Sequence, residues 1–249
     1  MQKAIVVGAT SGIGKEVALV LAERGWQVGI CGRRTTLLKS IAEETENIIG
    51  YKELDVTKDD APTLLREFVE ETGGMDLYFH SSGIGWQNPD MNSEKELLTV
   101  ETNATGFTRM VTAAYRYFEE SSRKGHIACI SSIAGTKGLG AAPAYSATKR
   151  FQNHYLECLE QNARMRGVKV RFTDIRPGFV ATNLIAGGSY PMQLTAKETA
   201  MEIVHALERK KSIAVIDWKY AILVFFWKLI PRYLWVRMKV ISPSSTSRN

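Results

Sequence analysis

Cysteine is scarce in this chain, with only Cys31, Cys129 and Cys158 among 249 residues. The odd number and wide spacing exclude a disulfide framework, and no spacing suits a zinc site. Cys31 and Cys129 fall in apolar, strand-like runs and are expected as buried thiols, in keeping with a reducing, cytoplasmic setting. The N-terminus lacks the ordered cationic, apolar and cleavage regions of a secretion signal, and residues 4–7 read directly as a strand. No apolar run reaches the ~20 residues that a membrane-spanning helix needs. There is no internal repeat, and only residues 241–249, rich in serine, read as disordered. A basic surface is missing too. The net charge is +6, but the excess lies wholly after Asp217, in Lys219, Lys228, Arg232, Arg237, Lys239 and Arg248, where no Asp or Glu occurs. Residues 1–217 are balanced, which argues against a nucleic-acid partner.

What is present is an alternation of short β-rich runs with longer helical ones. Strands are expected at 4–7, 27–31, 48–53, 75–80, 126–130, 169–175 and 212–216. Several are continuously apolar, as suits parallel strands covered on both faces. Helices are expected at 13–23, 35–45, 60–72, 94–120, 144–165 and 196–208. The pattern predicts an α/β fold, a doubly wound parallel sheet of about seven strands with right-handed crossovers, in one domain over 1–217. Residues 218–249 form a separate aromatic and basic tail.

The first strand runs into Gly8-Ala9-Thr10-Ser11-Gly12-Ile13-Gly14 and then a helix. Glycines let the backbone turn sharply toward a pyrophosphate, and the helix start offers free N–H groups and a positive dipole end. Downstream, Tyr145 and Lys149 sit four apart, on one face of a helix. An ammonium there favours the phenolate and is expected to lower the tyrosine pKa toward working pH. Ser131-Ser132 follow the fifth strand, at the edge where α/β enzymes hold active groups. Asn103 interrupts a long helical pattern, although Asn is a weak helix former.

The G-x-x-x-G-x-G spacing, together with Asn103, Ser132, Tyr145 and Lys149 in type, order and approximate spacing, resembles the short-chain dehydrogenase/reductase family over about residues 1–217. The resemblance implies a nicotinamide-dependent oxidoreductase acting on a carbonyl/alcohol pair. Tyr145 would be its acid/base, Ser132 would bond the substrate oxygen, and Lys149 would also bond the nicotinamide ribose. Asn103 would hold a water linking the lysine to solvent. It further implies that Asp55 and Val56 meet the adenine edge. Pro177-Gly178 would form the turn beside the nicotinamide, Val180 would bond the carboxamide, and Thr182 would meet the pyrophosphate or carboxamide. One departure stands out: His80-Ser81-Ser82-Gly83 occupies the place of an Asn-Ala-Gly run, keeping Gly83 but putting Ser81 where the Asn is expected. His80 is read as a strand histidine without a catalytic role.

NADP(H) is expected over NAD(H). The second strand ends without the carboxylate that would accept a ribose 2′-hydroxyl and reads instead Gly32-Arg33-Arg34. Guanidinium groups suit a 2′-phosphate. Residues 183–191, with mobile glycines, read as a lid, and Trp86, Met91 and Met192 hint at a hydrophobic substrate. By the resemblance, helices 94–120 and 144–165 would build a homodimer or homotetramer interface; Phe107, Met110, Val111, Ala114 and Phe118 recur at helical spacing, though some of them must face the chain's own sheet. Two other readings are a non-catalytic NADP-binding sensor and a membrane-associated scaffold on the same fold. On one idealised helix, Lys228, Arg232 and Lys239 cluster, although Arg237 falls opposite and Pro231 is placed to kink the helix, so the tail reads either as a peripheral membrane element or as a segment packed on the body, over the substrate pocket or in an oligomer.

Overall fold

A computed structural model describes residues 1–182 and 192–238. The expected lid, 183–191, and the serine-rich end lie outside the described residues.

All seven expected strands form, their ends moving by at most two residues: β1 (Lys3–Val7), β2 (Gln27–Gly32), β3 (Ile48–Glu53), β4 (Leu77–His80), β5 (Gly125–Ile130), β6 (Val170–Pro177) and β9 (Ile213–Ile216). They make one parallel sheet in the order β3-β2-β1-β4-β5-β6-β9. A further two-residue parallel pair, β7 (Val180–Ala181) with β8 (Leu194–Thr195), went unforeseen because two residues carry no periodicity.

Apolar runs in the central strands are buried on both faces. Ala4 and Val6 join a core with α1 (Gly12–Glu23), α2 (Thr35–Glu44) and α7 (Ala196–Glu208). Ile5 and Val7 point the other way, toward α3 (Ala61–Glu71), α5 (Phe107–Ser121) and α6 (Pro143–Arg166). Cys31 and Cys129 are buried as expected, whereas Cys158 is exposed.

Two expectations need correction. The helix read over 94–120 is not uniform. It runs as α4 (Ser93–Val100), a π-helical turn (Glu101–Gly106) and α5. Phe107, Met110, Val111, Ala114 and Phe118 all lie in the chain's own core, so their helical spacing reports burial against the sheet. In the tail, the kink expected at Pro231 is a full break, so the idealised single helix does not hold. The break falls at Ile230-Pro231 between α8 (Trp218–Leu229) and α9 (Arg232–Trp235), so Lys228 and Arg232 share no continuous helical face. Lys239 is outside the described residues.

Candidate active site

Because every strand of the large sheet is parallel, the ends of β1, β4, β5 and β6 fall along one edge, and the strand order reverses between β1 and β4. Ligands of doubly wound sheets bind at such a switch point. Gly8 leaves β1 with φ +91°, and a Cβ there would stand 2.6 Å from the Ser82 backbone nitrogen. A side chain on Gly14 would collide with the Gly8 carbonyl oxygen and stand 2.9 Å from Ser81 Cβ. Ser81 is thus the floor on which the glycine loop packs. Ser11 caps α1 without a side-chain hydrogen bond, and the first turn carries no carboxylate, so its N–H groups and dipole end are free for an anion. The Thr182 methyl lies over Gly12 from the opposite wall.

The candidate acid/base groups gather on the same edge. Ser132 follows β5, and its hydroxyl accepts from Ala134 N at 3.0 Å, opening a 3-10 turn (Ile133–Gly135). The same hydroxyl acts on the phenol of Tyr145, in the first turn of α6, and favours its ionised form. Lys149, one turn on, is 4% exposed, with Nζ 5.6 Å from the centre of the Tyr145 ring. Nζ donates to Ile130 O at 2.9 Å and to Gln152 Oε1 at 3.0 Å. Burial pulls its pKa down to about 8, against the opposing pull of Asp174 and Cys129. Burial moves Tyr145 the other way, above the ordinary phenol value, and only the Ser132 hydroxyl acts to lower it. The expected depression of the tyrosine pKa is therefore overturned. Low dielectric penalises the phenolate, and the lysine ammonium is turned toward Ile130 and Gln152 instead. A neutral Tyr145 is a proton donor, the form a carbonyl reduction needs.

Asn103 sits fully buried in the π-helical turn. Its amide clamps Ile84, accepting from the backbone N at 2.9 Å and donating to the carbonyl at 2.7 Å. The clamp fixes the loop after β4. Gly83 lies against Asn103 Oδ1 and Lys149 Nζ, and Gly85 touches the Tyr145 ring so closely that a Cβ would overlap it. Gly106, which ends the π turn, lets Val56 O approach to where a Cβ would be only 2.9 Å away.

A family model described as short chain dehydrogenase matches residues 2–189. The chain belongs to the short-chain dehydrogenase family. A Myxococcus xanthus (strain DK1622) protein named an oxidoreductase is 35% identical over 240 residues, covering 93% of each chain. An alcohol dehydrogenase from the archaeon Thermococcus sibiricus, solved with 5-hydroxy-NADP, superposes with a TM-score of 0.75 at 22% identity over 87% of this chain and 95% of that one. A single-residue variant of actinorhodin polyketide ketoreductase, solved with NADPH, gives 0.72 at 25% identity over 86% and 94%.

In this short-chain dehydrogenase a side chain joins Lys149 to the Asn103 backbone. Gln152 is completely buried, with Oε1 on Lys149 Nζ and Nε2 donating to Asn103 O at 2.9 Å. Sequence reading missed Gln152. The only available signal was its position three residues after Lys149, which puts it on the same helical face. Gly85 was missed because nothing local marks a close approach. Also unforeseen was a buried polar group behind β5. Asn153 Nδ2 donates to Ser131 Oγ at 2.7 Å and to Asp174 Oδ2 at 2.9 Å, and the Ser131 hydroxyl donates to Asp174. Arg176 pairs with Asp174 at 2.6 Å. His80 is buried with Nδ1 on the Tyr78 hydroxyl at 2.8 Å, and burial lowers its pKa to about 3, so it stays neutral at working pH.

The two arginines divide. Arg34 reaches the glycine loop, bonding Thr10 Oγ1 at 3.1 Å through Nε and Ser11 Oγ at 2.7 Å through Nη2. Arg33 is exposed, and its charge acts on Asp55. Burial would raise Asp55, but hydrogen bonds from Thr57 and the Arg33 charge outweigh it and hold the carboxyl below its usual value. Val56 is buried, with its carbonyl accepting from Arg109 at 3.0 Å. Pro177 pairs with Ile216 at the end of the sheet, and Gly178 packs so tightly on the Tyr220 ring that no Cβ fits. Val180 is buried in β7. Trp86, Met91 and Met192 are partly exposed, at 40, 58 and 41%.

Proposed function

We propose that this short-chain dehydrogenase is an NADP(H)-dependent reductase, moving a hydride between the nicotinamide and a hydrophobic carbonyl/alcohol pair. The observation that carries this reading is the clustering of the Tyr145 phenol, the Ser132 hydroxyl and the buried Lys149 ammonium, whose Nζ is 5.6 Å from the centre of the Tyr145 ring. The residues fit a dinucleotide. The glycine cradle has no room for side chains, the start of α1 carries no side-chain cap bond and no carboxylate, and Arg33 and Arg34 stand at the end of β2. When bound, the cofactor supplies the hydride. Ser132 orients the carbonyl oxygen and Tyr145 donates the proton to it. The phenolate that remains stands beside the Ser132 hydroxyl, with the Lys149 ammonium behind its ring. Arg33 and Arg34 discriminate for the 2′-phosphate. The NADP-type ligands of the two solved structures above support that preference. Thr182, beside Gly12, closes the pyrophosphate site. Gly178 and Val180 border the nicotinamide, and Asp55 and Val56 the adenine.

A cytoplasmic enzyme assembled as a homodimer or homotetramer through α4, α5 and α6 completes the reading. The test is NADPH oxidation over a panel of ketones, aldehydes, sterols and long-chain 3-ketoacyl compounds, repeated with NADH. Turnover of at least one class, faster with NADPH, is the expected result. Tight NADPH binding with no turnover of any class would make the chain a sensor instead.

A further inference from the structure

We infer that the outer face of α8 and α9 docks on an anionic lipid bilayer surface. The inference does not depend on the chemistry proposed above.

α8 is apolar nearly all round. Its inner face is settled: Tyr220 and Val224 are buried against Ile133, with Val215 and Trp227 packed alongside. At about 100° per residue, Ile222, Phe225, Phe226 and Leu229 fall on the opposite side. They are 47, 61, 61 and 65% exposed, and Tyr233 extends the patch onto α9 at 61%. A helix apolar on every side is normally covered, and a contiguous exposed patch of this kind marks an interaction site.

Charge identifies the occupant. On the same helical wheel, Lys219 and Lys228 flank the outer stripe. Arg232 and Arg237 stand exposed beyond it. No carboxylate occurs anywhere in residues 218–249. A symmetric contact with a second copy would press this cationic rim against itself. An anionic headgroup layer offers the opposite sign around an apolar interior, and aromatic residues interleaved with Lys and Arg favour that zone. At 12 residues α8 is about 18 Å long, and among the described residues no helix is long and apolar enough to cross a membrane. The arrangement lies on a bilayer without spanning it.

The polar ends of the tail are turned inward. Trp227 Nε1 donates to Thr136 Oγ1 at 2.8 Å and Trp235 Nε1 to Gly138 O at 2.7 Å. Lys137 donates to Ile230 O and lies 5.4 Å over the Trp235 ring. The docking face is thereby fixed to the loop that follows Ser132.

The test is co-sedimentation of the full chain with vesicles of phosphatidylcholine alone and of phosphatidylcholine mixed with phosphatidylglycerol. Binding to the mixed vesicles is expected to be more than about tenfold tighter and to weaken with salt. F225D/F226D, both on the exposed stripe, should abolish it while the circular dichroism spectrum and NADPH binding persist. K228E/R232E should remove the anionic preference. Wild-type protein left in the supernatant with both vesicle types would overturn the inference. So would concentration-dependent self-association, without vesicle binding, that F225D/F226D abolishes, since the face would then join copies of this chain.

Discussion

At the scale of single residues, the acid/base centre joins one group that nominates itself in sequence with several that do not. Tyr145, Lys149, Ser132 and Asn103 are singled out by sequence because a phenol and an amine four apart on a helix, with serines at a strand end, form a chemically meaningful set, and the fold brings them together. Their protonation was not legible, because it depends on burial that spacing does not encode. Tyr145→Phe is expected to lower kcat by at least about 10²-fold while NADPH affinity, read by fluorescence titration, stays within twofold of wild type, about the scatter of such a comparison. Retention of a tenth or more of the activity would remove Tyr145 as the proton donor. The buried Lys149, at about 8, is charged below that pH and neutral above it. The reductive kcat/KM should therefore fall as pH rises through about 8. Gln152 accepts from Nζ and so stands where it can tune that limb. Gln152→Glu brings a carboxylate to the ammonium and should move the limb to higher pH, and Gln152→Leu removes an acceptor and should move it lower. If neither variant shifts the limb, Lys149 is not the group titrating there.

At the scale of elements, the strands and most helices were legible from apolar runs and 3.6-residue periodicity. The π-helical turn was not, since one inserted residue hardly disturbs that period. Its trace was Asn103 itself, a poor helix former kept inside a helix because its amide closes on Ile84. The β2–α2 junction shows a similar limit: two adjacent arginines were evident, their division between the glycine loop and Asp55 was not. Arg33→Asp should cut the NADPH/NADH ratio of kcat/KM by tenfold or more, because a carboxylate repels the 2′-phosphate. An unchanged ratio would transfer the role to Arg34. The joint between α8 and the turn after β6 is tested by Gly178→Ala. Its methyl would meet the Tyr220 ring, which is completely buried and whose hydroxyl accepts from Phe179 N at 3.1 Å. Overpacking of this kind costs about 1–3 kcal/mol, a Tm loss of roughly 2–10 °C for a chain this long. An unshifted Tm by calorimetry would mean that α8 moves aside freely.

For the whole molecule, composition disclosed the asymmetry between a balanced body and a cationic tail, but two surfaces compete to join it to partners, and sequence could not rank them. Residues suggested for a subunit interface by helical spacing turned out to fill the chain's own core, because the same period serves both purposes. What α4 and α6 turn outward is different: Leu97 at 68%, Leu98 at 47%, Val100 at 42% and Phe151 at 41% exposure. Phe151 stacks on Tyr155 with centroids 5.5 Å apart and planes 15° from parallel, so its ring is held in place before any contact forms. A pre-organised aromatic loses little entropy on association, which favours it as an anchor. A homodimer or homotetramer is therefore expected by light scattering at micromolar concentration. Phe151→Asp should reduce the mass to that of one chain, whereas F225D/F226D on the tail should leave it unchanged. A wild-type monomer, or a mass that responds to the tail substitution and not to Phe151, would show that the long helices do not build the assembly.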